Sequence, residues 1–398
     1  MYDFDLVTDR KNTGCVKWDT LGRRFGRDGL MAYWIADMDF PAAPCITEAL
    51  QKRAEHPVYG YSFPQRGYKQ AICDWYKRRH GMEVKPDWIL PGANTVTSLT
   101  VALQAVTRPG EKCLALTPAY DPFFDAVRLS GRELVTLELK ENDRRYELDF
   151  AEFEKALKGG VRCLILCNPN NPGGKVWTGE ELERIAQLCE RYQVFILSDD
   201  VHCDWVFAPN RYVPITTFED AAERTVIFTA PSKTFNLAGI GNCNLIVPGE
   251  ELRERIQKAL TGMFIRGSNT FAYAAVEAAY EKAAPWLEEV KEYVWKNAEY
   301  AGEYLALHAP GLRMFDQQST FMIWIDCRSV ETDGKKICRT LAEEYGIVVN
   351  DGGAYGAGGD GFIRLNIACP RVLLEIALQA LADWYVDRTG NPEGKEVE

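Results

Sequence analysis

The chain has 398 residues, a formal net charge of −11, 46% hydrophobic residues and 26% charged residues. That length allows two or three domains, or one large α/β domain with an accessory, and the apolar content excludes disorder over most of the chain. The acidic balance argues against a nucleic-acid surface, and no run approaches the roughly 18 apolar residues of a membrane span.

Residues 1–45 are rich in turn formers and aromatics, show little periodicity and read as an irregular arm. The first ten are acidic and lack the apolar centre of a signal peptide. A helical pattern begins near 46, with Ile46, Leu50 and Arg53 on one face. The basic run Lys77-Arg78-Arg79 reads as a solvated helix face. Pro91-Gly92-Ala93-Asn94-Thr95 opens a helix that carries Leu99, Ala102 and Leu103. Lys112–Thr117 reads as a strand, and Val161–Cys167 as a strand buried on both faces, since it is almost continuously apolar.

Thr178-Gly179-Glu180-Glu181 is a capping box. Leu182, Ile185, Ala186, Cys189 and Tyr192 follow at helical spacing. Strands follow at 194–197 and 225–228. This rhythm predicts right-handed βαβ units and a mostly parallel sheet. A long helix over 285–308, strands at 321–325 and 362–365, a helix over 333–345, the segment 347–349 and a final helix over 370–386 make an α+β module. The polar tail from Asp387 reads as frayed. The domain division expected is 1–45 as an arm and part of a small domain, 46–284 as a large domain, and 285–398 as the small one.

The twelve cysteines contain no Cys-x-x-Cys and read as reduced thiols of a cytoplasmic protein. The four histidines, His56, His80, His202 and His308, are not paired at zinc spacing, so no metal is expected. Gly356-Ala357-Gly358-Gly359-Asp360-Gly361 matches a dinucleotide fingerprint in letters only. The fingerprint needs a following helix N-terminus for the pyrophosphate, and here a strand-like run follows, so a flexible loop is expected.

Three other segments carry chemistry. Asn168-Pro169-Asn170-Asn171 follows one strand, Ser198-Asp199-Asp200-Val201-His202 ends the next, and Pro231-Ser232-Lys233 follows a third. Parallel sheets bind ligands at the carboxyl ends of their strands, so these segments converge on one crevice. An amide, a carboxylate and a lysine there suit pyridoxal 5′-phosphate. The lysine would hold the aldehyde as a Schiff base, the carboxylate would keep the pyridinium protonated, and the amide would donate to the ring 3′-oxygen.

These segments resemble fold-type I enzymes of the class I/II aminotransferase superfamily. Lys17-Trp18-Asp19, the run from Trp34 to Phe40, Tyr59-Gly60-Tyr61, the run from Ser232 to Gly239 and the run from Arg364 to Pro370 narrow the resemblance to the MalY/PatB-type cystathionine β-lyases over about 10–386. The resemblance implies an α/β fold with a mostly parallel central sheet and a smaller α+β domain. It implies a cytoplasmic homodimer with shared active sites that binds pyridoxal phosphate and performs β-elimination on S-substituted cysteines, without nucleic-acid or membrane partners. Lys233 would be the catalytic lysine, Asp199 the partner of the pyridine nitrogen, and Asn171 and His202 neighbours of the 3′-oxygen. Tyr120 would stack on the ring. Ala93, Asn94 and Ser232 would bind phosphate, Tyr61 would reach the neighbouring subunit's phosphate and substrate, and Arg364 and Ala36 would bind the substrate carboxylate. Many aminotransferases carry a phosphate-binding arginine eight residues after the lysine; Gly241 stands there, which favours a lyase. Two alternatives stay open: an aminotransferase on the same scaffold, and a non-catalytic regulator, which would ordinarily carry a DNA-binding module for which the chain leaves no room.

Overall fold

In a computed structural model, which describes residues 2–390, the apolar run Val161–Cys167 lies in the middle of a seven-stranded sheet. The order is Ile89–Gly92, Cys243–Ile246, Thr225–Thr229, Phe195–Asp199, Val161–Cys167, Lys112–Thr117, Glu133–Glu138. Only Cys243–Ile246 runs against its neighbours; the five strands from Thr225–Thr229 to Glu133–Glu138 are mutually parallel. Alternate residues of Val161–Cys167 pack on opposite faces. Cys163 and Ile165 join Leu99 and Leu103 of helix Thr95–Val106. Leu164 and Leu166 join Leu182 and Ile185 of helix Gly179–Arg191. Burial on both faces is why this strand is continuously apolar rather than alternating. The capping box forms as predicted: Glu181 donates its N–H to Thr178 Oγ1 at 3.1 Å, and Thr178 donates its own to Glu181 Oε2 at 2.9 Å.

Three strands of this sheet escape the periodicity reading. Ile89–Gly92 and Cys243–Ile246 have four residues each, and Glu133–Glu138 is a half-exposed edge. A smaller antiparallel sheet orders Arg313–Met314, Met322–Asp326, Phe362–Asn366 and Asn350–Asp351. Helices Ala284–His308 and Arg371–Thr389 cover it through one shared apolar core.

Four expectations are corrected. The first 45 residues are not simply irregular. They form helices Val16–Asp19 and Leu21–Phe25, and strand Met31–Ala32 pairs in parallel with Ile347–Val348. Two-residue strands carry no period to read. The glycine run at 356–361 is a packed turn, not a flexible loop: a Cβ on Gly359 would collide with the Gly352 carbonyl, and one on Gly356 would lie 2.9 Å from Thr117 Cγ2. Strand Phe362–Asn366 does follow it. The last helix continues to Thr389, beyond the expected start of fraying; positions 391–398 of the tail lie outside the described residues.

The basic run at 77–79 is the fourth correction. Lys77 is exposed and pairs with Glu83, but Arg79 reaches inward to Asp204 at 3.0 Å. Asp204 is buried and also accepts His80 Nε2 at 2.9 Å, Trp75 Nε1 at 3.2 Å and the Thr234 hydroxyl at 2.8 Å. Burial alone would raise this carboxyl. The His80 hydrogen bond, the charges of His80 and Arg79, and the Thr234 hydroxyl outweigh it and hold the carboxyl below its ordinary range. Helix Arg66–His80 is thereby tied to the turn that carries Lys233. Asp204→Ala removes the acceptor from a buried cluster and should cost about 3–5 kcal/mol. The check is the urea midpoint of the purified variant against that of the parent chain.

Candidate active site

The carboxyl ends of Val161–Cys167 and Phe195–Asp199, the turn after Thr225–Thr229 and the start of helix Thr95–Val106 surround a cavity of about 400 Å³. The arm closes one side with Trp34, Ile35 and Ala36, and the small sheet closes another with Asn350, Tyr355 and Arg364. Of the residues selected from sequence, Ala36, Asn94, Tyr120, Asn171, Asp199, His202, Ser232, Lys233 and Arg364 all line it.

Lys233 lies in the short helix Pro231–Thr234 and donates its ammonium to the Ala36 carbonyl at 2.6 Å. Burial, helped by the Arg364 charge and opposed by Asp37 and Asp199, lowers its pKa to about 8. Asp199 ends its strand and accepts the Val201 N–H at 3.2 Å. Burial pushes its carboxyl up to about 6, against the Val201 hydrogen bond and the Lys233 charge. His202 is buried with its Nδ1 unpartnered among the described residues, and its ring meets Phe321 edge-on. Burial, with the charges of Lys233 and Arg364, holds its pKa well below the ordinary value, so the imidazole is neutral.

Arg364 is buried on strand Phe362–Asn366. It donates to Asn171 Oδ1 at 2.8 Å, to Asn350 Oδ1 at 2.8 Å and to the Trp34 carbonyl at 2.9 Å, with Tyr355 5.1 Å from its charged carbon. Asn171 therefore points its carbonyl oxygen at Arg364 and keeps its amide N–H groups free for another acceptor.

Asn94 caps its helix by accepting the Thr97 N–H at 2.9 Å. The first N–H groups of a helix have no partner inside it, so those of Thr95 and Val96 are offered to the cavity that these residues line. Ala93 stands one residue too early to line the cavity. Gly241 lines it with φ of +66°. Tyr61 lies outside. It is fully exposed, in a segment where Val58, Tyr59 and Phe63 are also exposed.

Sequence reading did not assign Asn350, Tyr355, Asp121, Asn242 or Thr95. Asn350 and Tyr355 reach the site only through the small sheet, which no local motif reveals. Asp121 and Thr95 sit beside selected residues, and adjacency is the signal that could have found them.

The class I and II aminotransferase family model matches residues 35–381. The chain is 35% identical to the cystathionine β-lyase PatB of Bacillus subtilis, across 95% of this chain and 98% of that protein. It is 33% identical to the protein MalY of Escherichia coli, across 96% and 98%. The solved structure of cystalysin from Treponema denticola, which contains a pyridoxal 5′-phosphate cofactor, superposes with a TM-score of 0.94 at 31% identity, covering 97% of this chain and 99% of that one. With a lysine, a carboxyl and an arginine gathered at the strand ends of this fold, the chain belongs to the class I and II aminotransferase family, in the group that includes PatB and MalY.

Proposed function

We propose that this chain is a pyridoxal 5′-phosphate-dependent carbon–sulfur lyase, acting on L-cystathionine or related S-substituted cysteines to give a thiol, pyruvate and ammonia. The observation that carries the reading is one buried cavity in which Lys233, Asp199, His202, Asn171 and Arg364 converge. The named activity of PatB and the cofactor of cystalysin agree with it.

The residues fit the cofactor. A buried imidazole nitrogen without a partner and a buried carboxyl are costly unless a polar group completes them. Bound pyridoxal phosphate supplies a pyridinium ring that takes up the negative charge developing at the substrate Cα. Lys233 anchors the cofactor, and its amine, once free, removes the Cα proton. Asp199 keeps the pyridine nitrogen protonated. Asn171, through its free amide N–H groups, and His202 hold the ring oxygen. Tyr120 stacks on the ring. The helix start at Asn94, Thr95 and Val96, with Ala93 just before it and the Ser232 hydroxyl beside it, binds the phosphate dianion. Arg364 holds the substrate carboxylate with its planar fork, and the Ala36 segment closes over it.

The substrate's sulfur leaves from Cβ as thiolate. The remaining three-carbon fragment is released and hydrolysed to pyruvate and ammonia. Gly241 removes the phosphate-binding arginine common in transaminases and leaves the phosphate to backbone, Ser232 and Tyr61. The exposed apolar segment at 58–63 supports a homodimer in which Tyr61 completes the partner's site. Twelve free thiols, nine of them buried, suit the reducing cytoplasm, and no helix among the described residues is long and apolar enough to cross a membrane.

Purified protein loaded with pyridoxal phosphate should release pyruvate from L-cystathionine with no keto acid added. Product formed only when a keto acid is supplied would identify a transaminase instead. Lys233→Ala should abolish turnover and the visible absorbance of the loaded protein. In the cofactor-free protein, competitive labelling of Lys233 by an amine reagent, followed by mass spectrometry, should rise through a midpoint near pH 8. Ordinary lysines should titrate about two units higher.

A further inference from the structure

Asp121 follows Tyr120 and stands at the N-cap position of helix Pro122–Leu129, yet its side chain caps no N–H of that helix. Aspartate at this position ordinarily accepts the N–H two or three residues ahead. Here the residue has helical dihedrals, φ −54° and ψ −34°, and it stands in the wall of the cavity.

The charge inventory of the cavity gives this placement meaning. Among the described lining residues the carboxylates are Asp199 and Asp121. Asp199 is buried at a strand end, whereas Asp121 is solvent-exposed. The lining cations are Lys233 and Arg364, and the lyase reading commits the first to the cofactor and the second to the α-carboxylate. Arg364 acts on Asp121 through space, but its hydrogen-bond partners are Asn171, Asn350 and the Trp34 carbonyl. Partial burial in the cavity wall raises the Asp121 carboxyl above its ordinary value, against its own backbone N–H and the Arg364 charge, and among the described residues it has no ion-pair partner, which leaves it open to a ligand. A cationic group on the far side of the sulfur meets a carboxylate there, and an anionic group meets repulsion with no lining cation to spare.

We propose that Asp121 is a specificity-determining residue, selecting S-substituted cysteines whose departing thiol carries an ammonium group. The proposal rests on the lyase reading above and extends it to the substrate class.

The test uses three substrates of matched size with the cofactor-loaded enzyme: S-(2-aminoethyl)-L-cysteine, S-propyl-L-cysteine and S-carboxymethyl-L-cysteine. Their thiols differ in acidity, so the ratio of variant to parent for each substrate is the quantity to read. Asp121→Asn should lower kcat/KM for the aminoethyl substrate about 3-fold relative to the propyl one, and raise it for the carboxymethyl one relative to the same reference. Equal ratios for all three would overturn the proposal. A binding measurement runs beside it. L-lysine, L-2-aminoheptanoate and L-2-aminoadipate are the carbon counterparts, without a leaving group. L-lysine should bind the cofactor-loaded parent protein more tightly than the other two, read by titration of its visible absorbance, and lose that advantage in Asp121→Asn. If no substrate yields pyruvate, the lyase reading fails, and the binding order of the three amino acids, which needs no turnover, then decides whether Asp121 selects a cation. An unchanged order in the variant rejects that role.

Discussion

The hydrogen bonds of the Arg364 guanidinium join the three parts of the chain. One nitrogen reaches Asn171, after a strand of the large sheet; another reaches Asn350 of the small sheet and the Trp34 carbonyl of the arm. Each bond is local, yet together they set how far apart the walls of the cavity stand. A guanidinium suits this task because it is planar, always charged and offers five donors in a fixed fork. A lysine ammonium has three donors, but it radiates them from one atom and cannot spread them over two separate nitrogens in a fixed plane. In the lyase reading proposed above, substrate recognition and assembly of the site would share one side chain, which the Trp34 and Asn350 partners hold in place.

Around that anchor, burial sets the chemistry of the other groups. It lowers Lys233, raises Asp199 and keeps His202 neutral, and in each case it is the largest cause. A single physical term therefore produces a lysine that loses its proton readily, a carboxyl ready to pair with a cation, and an imidazole able to share a neutral hydrogen bond. None of the three is stable company for an empty apolar space. All three are reconciled by a bound group that carries a protonated ring nitrogen, an oxygen acceptor and an aldehyde.

Much of this was legible in sequence, and the reason is local. Val161–Cys167 announces a doubly buried strand by its apolar run, Asp199 ends its strand, and the segments carrying Asn171 and Lys233 follow theirs directly. The parallel-sheet rule then brings those loops together without any knowledge of distant contacts. What sequence could not supply depends on long-range register. Asn350 and Tyr355 enter because Asn350–Asp351 pairs with Phe362–Asn366 and carries them beside Arg364. Arg79 looked like a surface charge because it closes a run of three cations, although it follows the buried Trp75 and Ile72 at helical spacing. Its target, Asp204, lies 125 positions away and is invisible to periodicity. The glycine run at 356–361 was correctly set aside as a cofactor motif, yet its tight packing against Gly352 and Thr117 could be seen only in three dimensions.

The arm shows how a segment without period can still be rigid. Lys17 is buried and bonds Asp39 at 2.6 Å, while Arg10 grips Asp39 at 2.6 Å and Asp37 at 2.9 Å. Trp18 adds an indole N–H to Asp39, and Asn366 donates to the carbonyls of Ile35 and Asp37 on either side of Ala36. Isolated buried charges would be prohibitive, but here each carboxylate meets a cation and further donors. The result is a backbone clamped on both flanks of one residue, with the Ala36 carbonyl held 2.6 Å from Lys233 Nζ. Lys17 and Trp18 of one conspicuous run and Asp37 and Asp39 of the other, joined by Arg10, thus form one electrostatic lock, and its product is the position of a single carbonyl over the lysine. Removing one charge from such a lock leaves its partner buried and unpaired, so the lock holds as a unit or releases Ala36 as a unit.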